Sequence, residues 1–337
     1  IMKHATSALP VDENLVREMR MAADDEALFR YLLMVQCAEL SSTLPFLFEP
    51  LAGWTELLSP RDMLAEGSVV RRMVAEIPEG DWLEQVEIVG WLYQYYISER
   101  KNQVYAGFKK GRKASKNDIP PATQLFTPNW IVRYMVDNSL GRLWLEGRPQ
   151  SELRPRMEYY IDEAEQDPEV RAKLESLTRK NIDPSQIAVI DPACGSGHIL
   201  VYAFDVLYEM YLEAGYPMTD IPRMILERNV YGLDIDERAS QLASFALMMK
   251  AREKDPQIFG RGVRPNVLAI KESNAVSREV QAALLSTVDP ADKPSCARAL
   301  EYLVRVFHDA IEYGSLIRVD DMDLSWLSQA VAALRNA

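Results

Sequence analysis

The chain has 337 residues, enough for two domains and a sizeable core, and its 48% hydrophobic and 26% charged content is that of an ordinary globular protein. A net charge of −12 excludes a protein that wraps nucleic acid over its whole surface. No apolar run approaches bilayer length, Ile1-Met-Lys-His-Ala-Thr has no signal-peptide pattern, and Cys37, Cys194 and Cys296 are scattered; together these imply a cytoplasmic chain without disulfides or membrane contact. His4, His198 and His308 stand far apart with no flanking cysteine pair, so no metal site is expected.

In chain order, residues 12 to 40 read as helix, with the run from Glu26 to Val35 apolar enough to be buried on most sides. Pro45, Pro50, Gly53, Pro60 and Pro78 break the next stretch into short helices. Trp82 to Ile97 is a dense aromatic helix, read as a buried bundle helix in preference to a base-stacking surface. Residues 1–117 are thus expected to form an α-helical N-terminal domain. Its end carries Arg100, Lys101, Lys109, Lys110, Arg112, Lys113 and Lys116 with no acid between 100 and 116, which leaves −12 − 7 = −19 on the remainder. The strip, with Lys109, Lys110, Arg112, Lys113 and Lys116 as its DNA-binding candidates, fits a strand of phosphates held in one place; it fits a solvated linker equally well.

Asn117-Asp-Ile-Pro-Pro121 is a turn, and Gln124-Leu-Phe-Thr-Pro128 then starts a helix with Thr127 as expected N-cap and Pro128 at its first position. Ile131, Val132, Met135, Val136 and Leu140 are its expected apolar face. Residues 146–182, charged and carrying Pro149, Pro155 and Pro168, read as an exposed, partly helical insertion. Ile187–Ile190 is a β-branched run that predicts a buried strand. It leads through Asp191-Pro-Ala-Cys-Gly-Ser-Gly197 into a long helix marked by Ile199, Leu200, Ala203, Phe204, Leu207, Met210 and Tyr211. A strand turning through two glycines into a helix N-terminus binds nucleotides, because glycine permits positive φ and the first helical N–H groups are free. The dinucleotide fingerprint G-x-G-x-x-G does not match, since Leu200 stands at its third glycine. Asn229–Asp236 is a second strand ending in acids, with Leu242, Phe245, Ala246 and Met249 on the helix behind it. This β-α-β order predicts a parallel sheet with ligand at its C-terminal edge. Asn266–Asn274 reads as a third strand, and residues 275–322 as a helical insertion including Leu300, Leu303, Val304, Phe307 and Ile311. Leu324, Leu327, Val331 and Leu334 mark a final helix.

Asp-Pro-Ala-Cys-Gly-Ser-Gly resembles motif I of the S-adenosylmethionine-dependent N6-adenine DNA methyltransferases, and Gln124-Leu-Phe-Thr-Pro128 resembles their motif X, in the family's order. With the aromatic helix through Trp91-Leu-Tyr-Gln-Tyr-Tyr-Ile-Ser-Glu-Arg-Lys101, the glycine-loop His198 and Gly314-Ser-Leu-Ile317, the chain looks like the adenine methyltransferases of BREX phage-defence systems, the PglX family, from about residue 80 onward. The resemblance implies an α/β Rossmann-like S-adenosylmethionine-dependent methyltransferase fold over 118–337, preceded by the helical domain. It implies S-adenosyl-L-methionine as cofactor, with Thr127 and Pro128 over the methionine moiety and Asp191 accepting from its α-amino group. Pro192 and Ala193 belong to the same loop, whose Gly195 and Gly197 permit close approach. Asp234 would take the ribose hydroxyls, Ile235 would lie along the adenine, and Glu272 would approach the adenine amino group. His198 reads at least as well as a solvent-facing residue, Cys194 as a packing residue and Asp236 as a cap. The family's motif IV, [D/N/S]-P-P-[Y/F/W], is absent, Pro120-Pro121 being the only such pair. No catalytic residue is therefore assigned, and the chain is expected to be part of a larger enzyme. Implied partners are double-stranded DNA, other BREX proteins and phage-encoded inhibitors. Alternatives are a type I or type IIG restriction-modification methyltransferase and a non-catalytic cofactor-binding or interaction module.

Overall fold

A computed structural model describes residues 11–45, 47–48, 60, 62–80, 88–125 and 127–335. Pro50, Gly53, Trp82 and Phe126, named above, lie outside the described residues. The expected helix over 12–40 is two helices, α1 (Glu13–Met21) and α2 (Asp25–Thr43), parted at Ala23, whose φ is +53°. Each starts on an aspartate: Asp12 accepts from the N–H groups of Asn14 and Leu15, and Asp24 from that of Ala27. The run 26–35 is half-buried along its length, short of the burial expected from its composition. After α3 (Val69–Glu76), α4 (Ile88–Lys109) extends the aromatic helix twelve residues past its expected end at Ile97. Gly90 and Val104 are buried on it, whereas Trp91, Tyr95 and Tyr96 are exposed, so the expected bundle helix presents one side to solvent.

The turn at Pro120-Pro121 is a short helix, α5 (Ile119–Thr123). The next helix, α6 (Asn129–Val136), begins one residue later than expected. Pro128, with ψ of 145°, is its N-cap, and its carbonyl accepts from Ile131 and Val132, while Thr127 makes no side-chain cap bond. A one-residue shift at a helix end is common, because the cap is the last extended residue whichever side chain precedes it. Val132, Val136 and Leu140 face the core as expected, but Met135 is exposed. A π-turn at Asp137–Gly141 re-aims the chain before α7 (Arg142–Gly147) and buries Trp144 completely. Residues 163–177, including α8 (Pro168–Leu177), are exposed, while Leu153 and Met157 anchor the start of the expected insertion in the core.

Three parallel strands, β1 (Val189–Asp191), β2 (Val230–Asp234) and β3 (Asn266–Ala269), pair in that order, with Val189 opposite Val230 and Gly232 opposite Val267. Between β1 and β2 run α9 (His198–Glu213) and α10 (Ile221–Met224), and between β2 and β3 runs α11 (Glu237–Lys254). Leu200, Ala203, Phe204, Leu207, Met210 and Tyr211 of α9 are almost completely buried, so this helix is the centre of the core. Burying its apolar side chains contributes roughly 1.5–3 kcal/mol for each large one. On α11 the buried seam runs through Ala239, Ala243, Ala246, Leu247 and Ala251, leaving Leu242, Phe245 and Met249 half-buried. Small residues there let α11 approach the glycine loop. Because strand side chains alternate, the face of Gly232 packs against Leu200 and Cys194, whereas Ile190 and Leu268 point to the other face and are 62% and 65% exposed. The fully buried strand expected at 187–190 is therefore covered on one face only. Helix-rich with a small parallel sheet, the chain is compatible with part of a Rossmann-like fold.

Beyond β3 the chain forms α12 (Arg278–Ser286), α13 (Lys293–Val306), α14 (Ala310–Tyr313) and α15 (Ser325–Arg335). Leu284, Leu300 and Ala330 make a second, smaller core among them. Among the described residues no helix is long and apolar enough to cross a membrane.

Candidate cofactor site

β1 ends on Asp191, and the chain turns through Gly195, at φ +53°, and Gly197, at φ +86°, into α9. Side chains rarely adopt such φ values, and a Cβ on Gly197 would also stand 2.9 Å from the Cβ of Ala243, so this glycine is needed for conformation and for space. The loop is tied to the end of β2 by backbone and by carboxylate. Cys194 N–H donates to the Leu233 carbonyl at 2.9 Å, and Gly195 N–H donates to Asp234 Oδ2 at 2.8 Å. Asp234 Oδ1 accepts from Asp236 N–H at 2.8 Å, and Asp191 Oδ1 from Ala193 N–H at 3.1 Å. Burial pushes both carboxyls up, and the charge of Asp234 pushes Asp191 further. Two partly desolvated acids thus lie together at the C-terminal edge of the sheet, where a cationic group or hydroxyl donors would relieve them. Asp236 does cap α11, accepting from Arg238 N–H at 2.9 Å. Cys194 is buried with its thiol pushed far up, which leaves it a packing residue.

The segment around Thr127 comes to the same place. A cavity of about 20 Å³ is lined by Leu125, Thr127, Asp191, Ala193, Ser196 and His198 among others. His198 is half-buried, its Nδ1 3.3 Å from the Thr127 carbonyl, so it joins the two segments and is not the solvent-facing residue allowed for by the sequence reading. The hydroxyl of Ser196, a 3% exposed residue, is buried without a hydrogen-bond partner among the described residues. The remaining expected residues spread along the edge: Ile235 lines a second cavity of about 510 Å³, while Pro128, Pro192 and Ala193 are exposed. Glu272 lies past the end of β3, ion-paired with Lys116 and accepting from Asn274 Nδ2 at 3.0 Å.

Sequence reasoning missed two contributors from α4. Gly90 sits where a Cβ would fall 2.6 Å from Ser196 Oγ, and Tyr93 donates its hydroxyl to Asp236 Oδ2 at 2.7 Å. Glycine inside a dense aromatic helix was the available signal, since it marks a close approach of another segment.

The basic strip divides in two. Arg100 and Arg112 pair with the fully buried Asp118 at 3.4 and 3.1 Å, and Lys116 bridges Glu272 and Asp309. The Ser115 hydroxyl and N–H hold the Asp118 carboxyl below the usual range, with help from Arg112. Lys109, Lys110 and Lys113 are exposed, and among the described residues no ion pair engages them.

Residues 163–286, which hold the strand–glycine loop–helix unit and the carboxylates at two adjacent strand ends, match the family described as MmeI, DNA-methyltransferase domain. The matched residues thus resemble a methyltransferase domain, a class in which use of S-adenosylmethionine is general. The chain is 46% identical to the adenine-specific methyltransferase BrxX of Escherichia coli O9:H4 (strain HS), over 95% of this chain and 27% of that protein. It is 39% identical to the adenine-specific methyltransferase PglX of Lacticaseibacillus casei (strain Zhang), over 78% of this chain and 22% of that one. The chain spans about a quarter of the length of these relatives.

Proposed function

We propose that this chain supplies the cofactor-binding part of a site-specific DNA adenine N6-methyltransferase that marks host DNA in a BREX phage-defence system. The observation that carries this reading is the convergence of Asp191, Asp234 and Thr127 on one sheet edge around the Gly195–Gly197 loop. S-adenosyl-L-methionine fits the unmatched groups there: its ammonium suits Asp191, its ribose hydroxyls suit the lone pairs remaining on Asp234, and its carboxylate suits the unpartnered Ser196 hydroxyl. Bound, the sulfonium brings the electrophilic methyl group; the chain's residues orient it and exclude water. The methionine end has room for about one water molecule, so Leu125 and Thr127 must shift outward as the tail enters.

In this proposal residues up to 117 form an α-helical domain and 118–337 the cofactor-binding one, with α4 reaching across through Gly90 and Tyr93. Double-stranded DNA is the partner, its phosphates met by Lys109, Lys110 and Lys113, while Arg112 and Lys116 hold the strip in shape. The remaining proteins of the defence system, and phage-encoded inhibitors acting on it, would be met in the cytoplasm. Calorimetric titration with S-adenosylhomocysteine tests the reading. Saturable one-to-one binding of micromolar class (about −8 kcal/mol) is expected, and weakening by Asp191→Asn. No saturable heat, or binding indifferent to Asp191→Asn, contradicts it.

A further inference from the structure

Asp234, the acid assigned to the ribose, is held at both oxygens. Gly195 N–H donates to its Oδ2 at 2.8 Å, and Asp236 N–H donates to its Oδ1 at 2.8 Å. Each oxygen of an ionised carboxylate accepts about two bonds, so one position on each is left for a ligand hydroxyl. The two backbone donors set where those positions point. The aim of the acid therefore depends on how firmly the glycine loop and the turn after β2 are seated.

One turn of α4 lies against both. Gly90 and Tyr93 are three residues apart and share a face of that helix. A Cβ on Gly90 would stand 2.6 Å from Ser196 Oγ and 2.8 Å from Ser196 Cβ, so the helix backbone sits directly on the residue that follows Gly195. Tyr93 donates its hydroxyl to Asp236 Oδ2 at 2.7 Å, while the other oxygen of that carboxylate caps α11 through Arg238 N–H at 2.9 Å. A hydrogen bond to a carboxylate is about twice as strong as a neutral one. Burial, then the bond to Asp236 and its charge, hold the phenol protonated, so it remains a donor. Without it the Asp236 side chain is tied through its capping oxygen alone. The Tyr93 ring, with Ile235 and the first turn of α11, also lines the cavity of about 510 Å³.

We propose that Tyr93 is a positioning residue for the ribose of the cofactor: by holding Asp236 it fixes the N–H that orients Asp234. Gly90 lets the same helical turn seat the loop whose Gly195 holds the other oxygen of that acid. This rests on the methyltransferase reading above. Groups that must meet a ligand to within about 0.5 Å need such support from the residues behind them. Tyr93 stands 143 residues before Asp236, so the aromatic helix of the N-terminal segment takes part in building a site whose acids lie far along the chain.

The test is titration of the full chain with S-adenosylhomocysteine and with its 2′,3′-dideoxyribose analogue, which offers Asp234 no hydroxyl. The wild type binds the ribose compound at least about tenfold more tightly. Tyr93→Phe keeps the ring in the cavity wall and removes only the donor. It loses roughly three- to tenfold in affinity for the ribose compound and little for the dideoxy one, so the preference shrinks by that factor. Asp236→Asn, which still caps α11, is a second variant should phenylalanine disturb folding. A merely structural role lowers both affinities alike, so an unchanged preference overturns the proposal while leaving the methyltransferase reading intact. A wild type without preference overturns the ribose assignment to Asp234 and the proposal with it. A wild type that binds neither compound overturns the methyltransferase reading itself.

Discussion

Replacing Gly197 by alanine should damage the chain in two separable ways. At φ +86° a side chain brings left-handed strain of about 1–2 kcal/mol. The new methyl group would also stand 2.9 Å from Ala243 Cβ and 3.0 Å from its Cα, an overpacked contact with a neighbouring helix that costs about 1–3 kcal/mol. The expected loss is thus about 2–5 kcal/mol, read as a fall in urea midpoint of roughly 1 M. Gly215 supplies an internal control. Its φ is +82°, but nothing lies within 4 Å of a Cβ built there, so Gly215→Ala should show the strain alone. Adding Ala243→Gly to Gly197→Ala should recover part of the packing share, the contact with the Cα at 3.0 Å remaining, and give a coupling of about 0.5–3 kcal/mol. Midpoints of the two glycine variants that coincide, or a double variant no better than the sum of its parts, would refute the argument that α11 and the glycine loop are in contact by necessity.

Asn229 is fully buried, donates to the carbonyls of Pro184 and Ile187 and accepts from Tyr211, so Asn229→Leu should cost about 3–5 kcal/mol in denaturation and Tyr211→Phe about 1. Asp191 has its folded-state pKa raised, so the folded chain holds the extra proton between the unfolded and folded values. Stability contributed there is present near the unfolded value and is lost as pH rises through the folded one. Asp191→Asn should therefore leave the ligand-free chain as stable or more stable at pH 7, with the difference shrinking on acidification, while weakening S-adenosylhomocysteine binding. Asp118 is the opposite case: its carboxyl is held low, so its support is present above the unfolded value and lost as pH falls through the folded one. Asp118→Ala should accordingly speed tryptic cleavage after Lys109, Lys110 and Lys113. On DNA, removal of each of Lys109, Lys110 and Lys113 should reduce the slope of log affinity against log salt by about 1, whereas Arg112→Ala and Lys116→Ala should lower melting temperature instead.

The strand–glycine–helix unit was legible because each of its signals is local: a β-branched run, two glycines and a 3.6-residue apolar period converge within 25 residues. The second strand and its terminal acids were legible for the same reason. What the sequence hid was pairing across distance. Lys116 counts as a free positive charge until Glu272 and Asp309 are brought to it from more than 150 residues away. Tyr93 is one aromatic among several until the fold sets its hydroxyl on Asp236. Periodicity names the apolar face of a helix but not the extent of its cover, which is why Met135 and Ile190 are exposed where burial was expected. On α11 the alanine seam outweighs the larger side chains, since closeness to the glycine loop matters there more than apolar volume.

The most direct measurement is a crystal structure of this chain with S-adenosylhomocysteine. The account predicts the amino-acid tail at Asp191, the ribose at Asp234 and the purine along Ile235, with Leu125 and Thr127 displaced outward from the tail. Ligand bound anywhere else, or bound at the sheet edge with neither carboxylate in contact, would contradict it.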